Sequence, residues 1–284
     1  MTTFIVYQFV GGNAFFAGAV VAGAAVACRL RITARWTKAT ANVGAVFGAM
    51  LLALSGTPLP MWGYGVWGVV FTGALCDWKR PQYRRGAVVG FCFVTAAMVA
   101  WELPHQFPAR IPTFGCDSLF VVGDSLSMGA DPPGKNWPEL LGDKAGLATK
   151  NYSFGGAKVD SSLSNAERID RDRALVILEI GGNDLLSGSV GFETKLEQLL
   201  KAACTGQRRV VMLELPLPPF FNRFGVVQRR LAREYGVTLV PKRYLARVLA
   251  TPGATVDGLH FSNKGHELLA GALFALFDTR RDSH

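Results

Sequence analysis

Ala174-Leu-Val-Ile-Leu-Glu-Ile-Gly-Gly-Asn-Asp184 is the stretch on which the reading of the fold turns. Ala174–Ile180 reads as a buried strand, and the Gly-Gly-Asn-Asp that follows is a good turn. Working outward, Ser118–Val122, Lys150–Phe154, Val210–Leu215 and Val237–Val240 are further short strand candidates. Between them lie helical patterns at Trp137–Ala145, Glu193–Cys204 and Phe224–Tyr235, and Asn263–Phe277 closes the chain as a helix. In Glu193–Cys204 the residues Leu196, Leu199 and Leu200 share one face. Strand and helix alternate, which predicts an α/β fold with a parallel sheet covered by helices on both faces. Functional groups in such folds gather at the carboxyl ends of the strands. The sequence shows neither an internal repeat nor a low-complexity segment.

The N-terminal third has a different character. Four apolar runs, Phe4–Cys28, Ala39–Ser55, Met61–Cys76 and Gly86–Trp101, contain no Lys, Arg, Asp or Glu. A spanning helix needs about 20 mostly apolar residues. The first run exceeds this and the others lie near its lower limit, so about four transmembrane helices are expected in residues 1–102. Trp62, Tyr64, Trp78 and Trp101 fall at or near run ends, where amphipathic rings favour the interface. Gly11, Gly18, Gly23, Gly44 and Gly48 are candidates for close helix approach. Residues 1–110 hold nine Lys/Arg against two Asp/Glu, and residues 111–284 hold 21 against 19, so most of the formal +9 belongs to the first part. Those charges cluster at Arg29, Arg31, Arg35 and Lys38, and again at Lys79, Arg80, Arg84 and Arg85. Nucleic acid is therefore not expected as a partner. Basic loops stay in the cytoplasm, so four spans place the part after Trp101 outside it. A cleaved signal peptide fits poorly, because no Lys or Arg precedes Arg29 and three more apolar runs follow. Glu102–Thr113, with Pro104, Pro108 and Pro112, reads as a stiff linker, leaving residues 114–284 as the second domain.

Four short motifs in that domain carry chemistry. Val121-Val-Gly-Asp-Ser-Leu-Ser127 runs a buried strand into Gly-Asp-Ser, which places Ser125 on a turn with its hydroxyl above the sheet. By itself this also suits an ordinary serine capping a helix. Val256-Asp-Gly-Leu-His260 precedes the last helix. Serine is a poor nucleophile unless a base takes its proton, and a tight turn lets Asp257 hold the Nδ1–H of His260 while Nε2 faces the serine. His266, within the last helix, and His284, the terminal residue, are less suited. In Ile180-Gly-Gly-Asn-Asp184 the Asn183 amide can donate to an oxyanion. In Asn151-Tyr-Ser-Phe-Gly-Gly156 the Gly156 N–H is a further donor.

The order Gly-Asp-Ser, Gly, Gly-x-Asn-Asp, Asp-x-x-His resembles the SGNH (GDSL-type) hydrolase family over about Asp117–Phe277. Leu178-Glu-Ile-Gly-Gly-Asn-Asp-Leu-Leu-Ser-Gly188 is most similar to the bacterial thioesterase I/lysophospholipase and arylesterase branch. The resemblance implies a flavodoxin-like three-layer α/β/α sandwich, with Ser125 as nucleophile, His260 as base and Asp257 as its orienting partner. It also implies an oxyanion hole built from the Ser125 N–H, the Gly156 N–H and the Asn183 side chain, with no cofactor and no metal. The apolar N-terminal third departs from that branch, whose members are commonly soluble and secreted. The α/β-hydrolase elbow is excluded, because Ser127 stands where Gly-x-Ser-x-Gly needs its last glycine.

The expected function is a serine esterase or lipase-type hydrolase acting on acyl esters or thioesters. It would be integral to a bacterial inner membrane, with its catalytic domain periplasmic and a lipid or acylated envelope component as substrate. The same site allows acyl transfer to another acceptor, and a hydrolase-like domain that only binds a partner in a membrane assembly is the reading from a different class. Metal phosphoester chemistry lacks a His-x-His or a Cys/His cluster. Cys116 and Cys204 are expected either to form a disulfide or to stay unpaired. Phe220, Phe221 and Phe224, after Pro216-Leu-Pro-Pro219, are expected to pack as core or to line an acyl or partner surface.

Overall fold

The computed structural model describes residues 2–31, 34–107, 110–129, 134–188 and 190–278. Contacts divide the chain into two units: Met1–Tyr7, Phe107–Pro216 and Phe224–His284 form one, and Gln8–Gln106 with Leu217–Arg223 form the other. The first unit opens with a short helix, α1 (Thr2–Ile5).

The second unit is helical, with α2 (Asn13–Cys28), α3 (Arg35–Leu54), α4 (Met61–Leu75) and α5 (Pro81–Glu102). The first apolar run does not make one long helix. It breaks at Gly12, whose φ of 88° is left-handed, so α2 holds 16 residues and spans about 24 Å at 1.5 Å per residue. Among the described residues two helices, α3 and α5 with its 3₁₀ extension to Gln106, are long and apolar enough to cross a membrane by length and composition. Only 17% of the apolar window of α3 and 28% of that of α5 is buried, so both turn most of their apolar surface outward. Gly18 and Gly48 let α2 and α3 meet, since a Cβ on either would strike backbone of the other helix. Gly23 faces open space and Gly44 makes an ordinary contact. Arg29 is buried, contrary to a simple loop charge: its guanidinium bonds Asn42, Leu75 O at 2.8 Å and Asp77 at 3.1 Å, while Arg84 bonds the Arg29 carbonyl. This polar knot ties one end of the helices together.

The first unit is an α/β sandwich. Its strands are β1 (Ile111–Pro112), β2 (Ser118–Gly123), β3 (Ala148–Asn151), β4 (Ala174–Glu179), β5 (Arg209–Leu213), β6 (Thr238–Val240) and β7 (Phe277–Asp278). Five of them form one parallel sheet in the order β3-β2-β4-β5-β6. Counted within that sheet this is 2-1-3-4-5, the flavodoxin-like doubly wound order, whose switch point lies between β2 and β4. β2 and β4 are buried at every position, which fits cover on both faces. Leu119, Val121, Leu175 and Ile177 pack with Trp137, Leu141, Leu269 and Leu273 in one core cluster. The helices are α6 (Ser125–Met128), α7 (Trp137–Ala145), α8 (Leu163–Glu167), α9 (Phe192–Ala203), α10 (Asn222–Glu234), α11 (Arg243–Leu249) and α12 (Asn263–Phe274). The end of the segment read as linker is itself structured, because β1 pairs with β7 and buries Ile111 completely. The last helix accordingly stops at Phe274, three residues short of the expected Phe277, which enters β7.

Candidate functional site

β2 and β4 are adjacent and parallel, and their carboxyl ends flank the switch point, the place where open α/β sheets carry their functional groups. β2 ends at Gly123, and Asp124 then caps α6, its Oδ1 accepting the Leu126 N–H at 2.9 Å. Ser125 is thereby the first residue of α6, at the strand's carboxyl end.

The Asp-x-x-His segment is shaped by its own sequence. Thr255 and Phe261 form an antiparallel bridge, and the Val256 N–H donates to His260 O at 2.9 Å, closing a tight turn. Inside it Asp257 Oδ1 accepts the N–H groups of Leu259 at 2.9 Å and His260 at 2.8 Å. Asp257 Oδ2 lies 2.6 Å from His260 Nδ1, and His260 Nε2 lies 3.1 Å from Ser125 Oγ. With Nδ1–H donating to the Asp257 carboxylate, Nε2 is left to accept the serine hydroxyl. The bond to His260, helped by the two backbone donors, holds the Asp257 carboxyl well below the usual carboxylate range. That carboxylate is exposed and charged at neutral pH.

The other two predicted positions are linked to this set through their neighbours. Asn183 Nδ2 donates to Ala157 O at 3.0 Å and to Asp124 Oδ2 at 3.2 Å, so it bridges the residue after Gly156 and the residue before Ser125. Gly156 sits on an exposed turn with φ of 72°, a left-handed conformation that favours glycine. Asp184 braces the same loop by accepting the Val159 N–H at 3.0 Å.

Sequence reasoning missed a buried polar network beneath the serine. Ser127 Oγ donates to Glu179 Oε2 at 2.8 Å and receives the Trp137 indole N–H at 3.2 Å. The one signal was a glutamate as the last residue of an otherwise apolar strand. His266 is also internal: its Nδ1 accepts the Trp137 backbone N–H at 3.2 Å, and its ring meets Phe261 edge-on. Cys116 and Cys204 are both free rather than bridged, and burial raises both thiols, Cys204 to about 11. Phe224 packs on Phe192 in the interior, whereas Phe220 is exposed in a left-handed conformation. Among the described residues no group of three or more His, Cys, Asp or Glu is gathered as a metal site. His284 lies outside the described residues.

Comparison with known proteins fits this geometry. The GDSL-like lipase/acylhydrolase family matches residues 121–268, which include Ser125, Gly156, Asn183, Asp257 and His260. Esterase TesA of Pseudomonas aeruginosa is 29% identical over 160 residues, covering 50% of this chain and 79% of its own. The crystal structure of the psychrotrophic esterase EstA from Pseudoalteromonas sp. superposes with a TM-score of 0.50 at 19% identity, over 56% of this chain and 95% of that one, a likeness of fold. With a strand-end serine, a hydrogen-bonded histidine and a family match over half its length, this chain belongs to the GDSL/SGNH hydrolases and is a serine ester hydrolase.

Proposed function

We propose that the protein is a membrane-embedded esterase that works through an acyl-enzyme on Ser125. The observation that carries this reading is the continuous chain from Ser125 Oγ to His260 Nε2 at 3.1 Å and from His260 Nδ1 to Asp257 Oδ2 at 2.6 Å. His260 takes the serine proton as Oγ attacks the ester carbonyl, and Asp257 steadies the imidazolium that forms. The Ser125 N–H, at the first position of α6, the Gly156 N–H and the Asn183 amide receive the oxyanion. His260 then protonates the departing alcohol, and water, deprotonated by the same imidazole, releases the acid.

Apolar side chains flank the turns that carry these groups: Met128, Phe154, Leu186, Val256 and Leu259 are all exposed, Leu186 to 91%. They suit an acyl chain better than a polar acid. The outward apolar surface of α3 and α5, with α2 as a shorter apolar companion, supports embedding in a membrane, and the basic clusters at residues 29–38 and 79–85 favour four spans with an extracytoplasmic catalytic part. A lipid or an acylated envelope component is the substrate class that this placement favours.

The test is hydrolysis of p-nitrophenyl esters from acetyl to palmitoyl by the purified full-length protein beside Ser125→Ala. Activity is expected to vanish in the variant and to favour the longer chains. Equal rates in both proteins would remove Ser125 as nucleophile. Alkaline carbonate should leave the full chain in the membrane pellet, and its release would end the embedded reading.

A further inference from the structure

Glu179 is the last residue of β4, four positions before Asn183, and it is 1% exposed. Its carboxyl meets that of Asp124, itself buried and raised by that burial, while His260 draws Asp124 down and Asp184 pushes it up. Oε2 of Glu179 accepts the Ser127 hydroxyl at 2.8 Å and lies 3.4 Å from the Asp124 N–H. Two buried carboxyl groups in contact cannot both ionise near neutral pH, so one proton stays between them. Burial first, and then the neighbouring Asp124 charge, push Glu179 well above the carboxylate range, which makes it the proton holder. Its O–H therefore donates to the Asp124 carboxylate.

That single donation organises much of the site. Asp124 Oδ1 is taken by the Leu126 N–H, which fixes the turn bearing Ser125, and Oδ2 is taken by the Asn183 amide. The Asn183 amide is thus anchored to Asp124 by one N–H, and the other, which donates to Ala157 O in this structure, is the one that turns to the oxyanion. We propose that Glu179 is a positioning residue for the ester hydrolysis: by hydrogen-bonding Asp124 it holds both the nucleophile turn and the Asn183 donor in place. This rests on the reading of Ser125 and Asn183 given above. An apolar side chain at 179 would leave the Ser127 hydroxyl and the buried Asp124 carboxylate short of partners, and the carboxylate would turn away. A glutamine keeps the pattern, with its amide N–H on Asp124 and its carbonyl on Ser127.

The experiment compares kcat and KM of the full-length wild type, Ser125→Ala, Glu179→Gln, Glu179→Leu and Glu179→Met on the best p-nitrophenyl ester, each first checked for a cooperative melt. Glu179→Met, unbranched and close in length, serves if Glu179→Leu does not fold. The apolar variants are expected to lose at least tenfold in kcat, toward the roughly 10²–10³ of a lost oxyanion donor, with KM within about threefold. Glu179→Gln is expected to restore most of that loss. An inactive Ser125→Ala beside folded, fully active Glu179→Leu or Glu179→Met would overturn the positioning role alone, as would a loss in KM only or an equal loss in Glu179→Gln. A fully active Ser125→Ala would instead overturn the site reading itself.

Discussion

Two carboxyl-bearing regions flank Ser125, and they hold their protons in opposite ways. Asp257 lies on an exposed turn, takes two backbone N–H groups and the His260 ring, and is held well below the usual carboxylate range. Glu179 lies at the end of a fully buried strand, faces a second carboxyl group and is pushed well above it. Residue type alone does not separate them. What separates them is whether the fold supplies water and donors to the charge, or excludes water and presents another acid. Three nearby carboxyl groups can therefore serve as a charged partner for His260, a cap for the turn that bears Ser125 and a neutral hydrogen-bond donor.

Substitution at the exposed end should give the largest effect. Asp257→Asn removes the charge that stabilises the imidazolium and disturbs the tautomer of His260, so kcat should fall by about 10³–10⁴ with little change in KM. Steady-state ester hydrolysis measures it, and a loss under tenfold would mean that the turn only shapes the backbone.

The buried end is sharpened through pH. In the unfolded chain Glu179 ionises near its ordinary 4.5, whereas in the fold it keeps its proton to higher pH. Between those values the native state binds one proton more, so stability is fully present below 4.5 and falls as pH rises toward the folded value. Glu179→Gln has no such proton. The wild type should therefore lose stability relative to this variant on the order of 1 kcal/mol per pH unit above about pH 5, up to the folded value. Thermal unfolding of both proteins between pH 4.5 and 8 reads the difference, and parallel curves would show that Glu179 is ionised in the fold.

The smallest effect belongs to a surface carboxylate with an ordinary partner. Asp160 is held low by Lys195, 2.7 Å away, but both groups are open to solvent. Exposed ion pairs contribute little, so Asp160→Asn should leave the melting midpoint and its salt dependence nearly unchanged. A large shift there would break the rule that solvent access decides the contrast.

Much of this was readable from residues in sequence. The pattern at Ala174–Ile180 and its neighbours placed all five strands of the sheet to within a few residues, because aliphatic runs between turn residues have few other uses in a parallel sheet. The Asp257–His260 pair was readable because an Asp three residues before a His on a glycine-containing turn closes its own hydrogen bonds locally. The helices α8 and α11 were missed, since five and seven residues give no clear period. The break at Gly12 was missed because apolar content says nothing about backbone handedness.

The five strands of the sheet, the longer helices between them, the tight turn at Asp257–His260 and the division between an apolar third and a mixed remainder are all legible in the residues alone. These follow from local periodicity and local turn chemistry. Packing brings His260 Nε2 to Ser125 Oγ although the two lie 135 positions apart in sequence, and it pairs β1 with β7. It also decided that Glu179 and Asp124 meet out of water, because burial and the approach of like groups are properties of packing that no single segment of sequence carries.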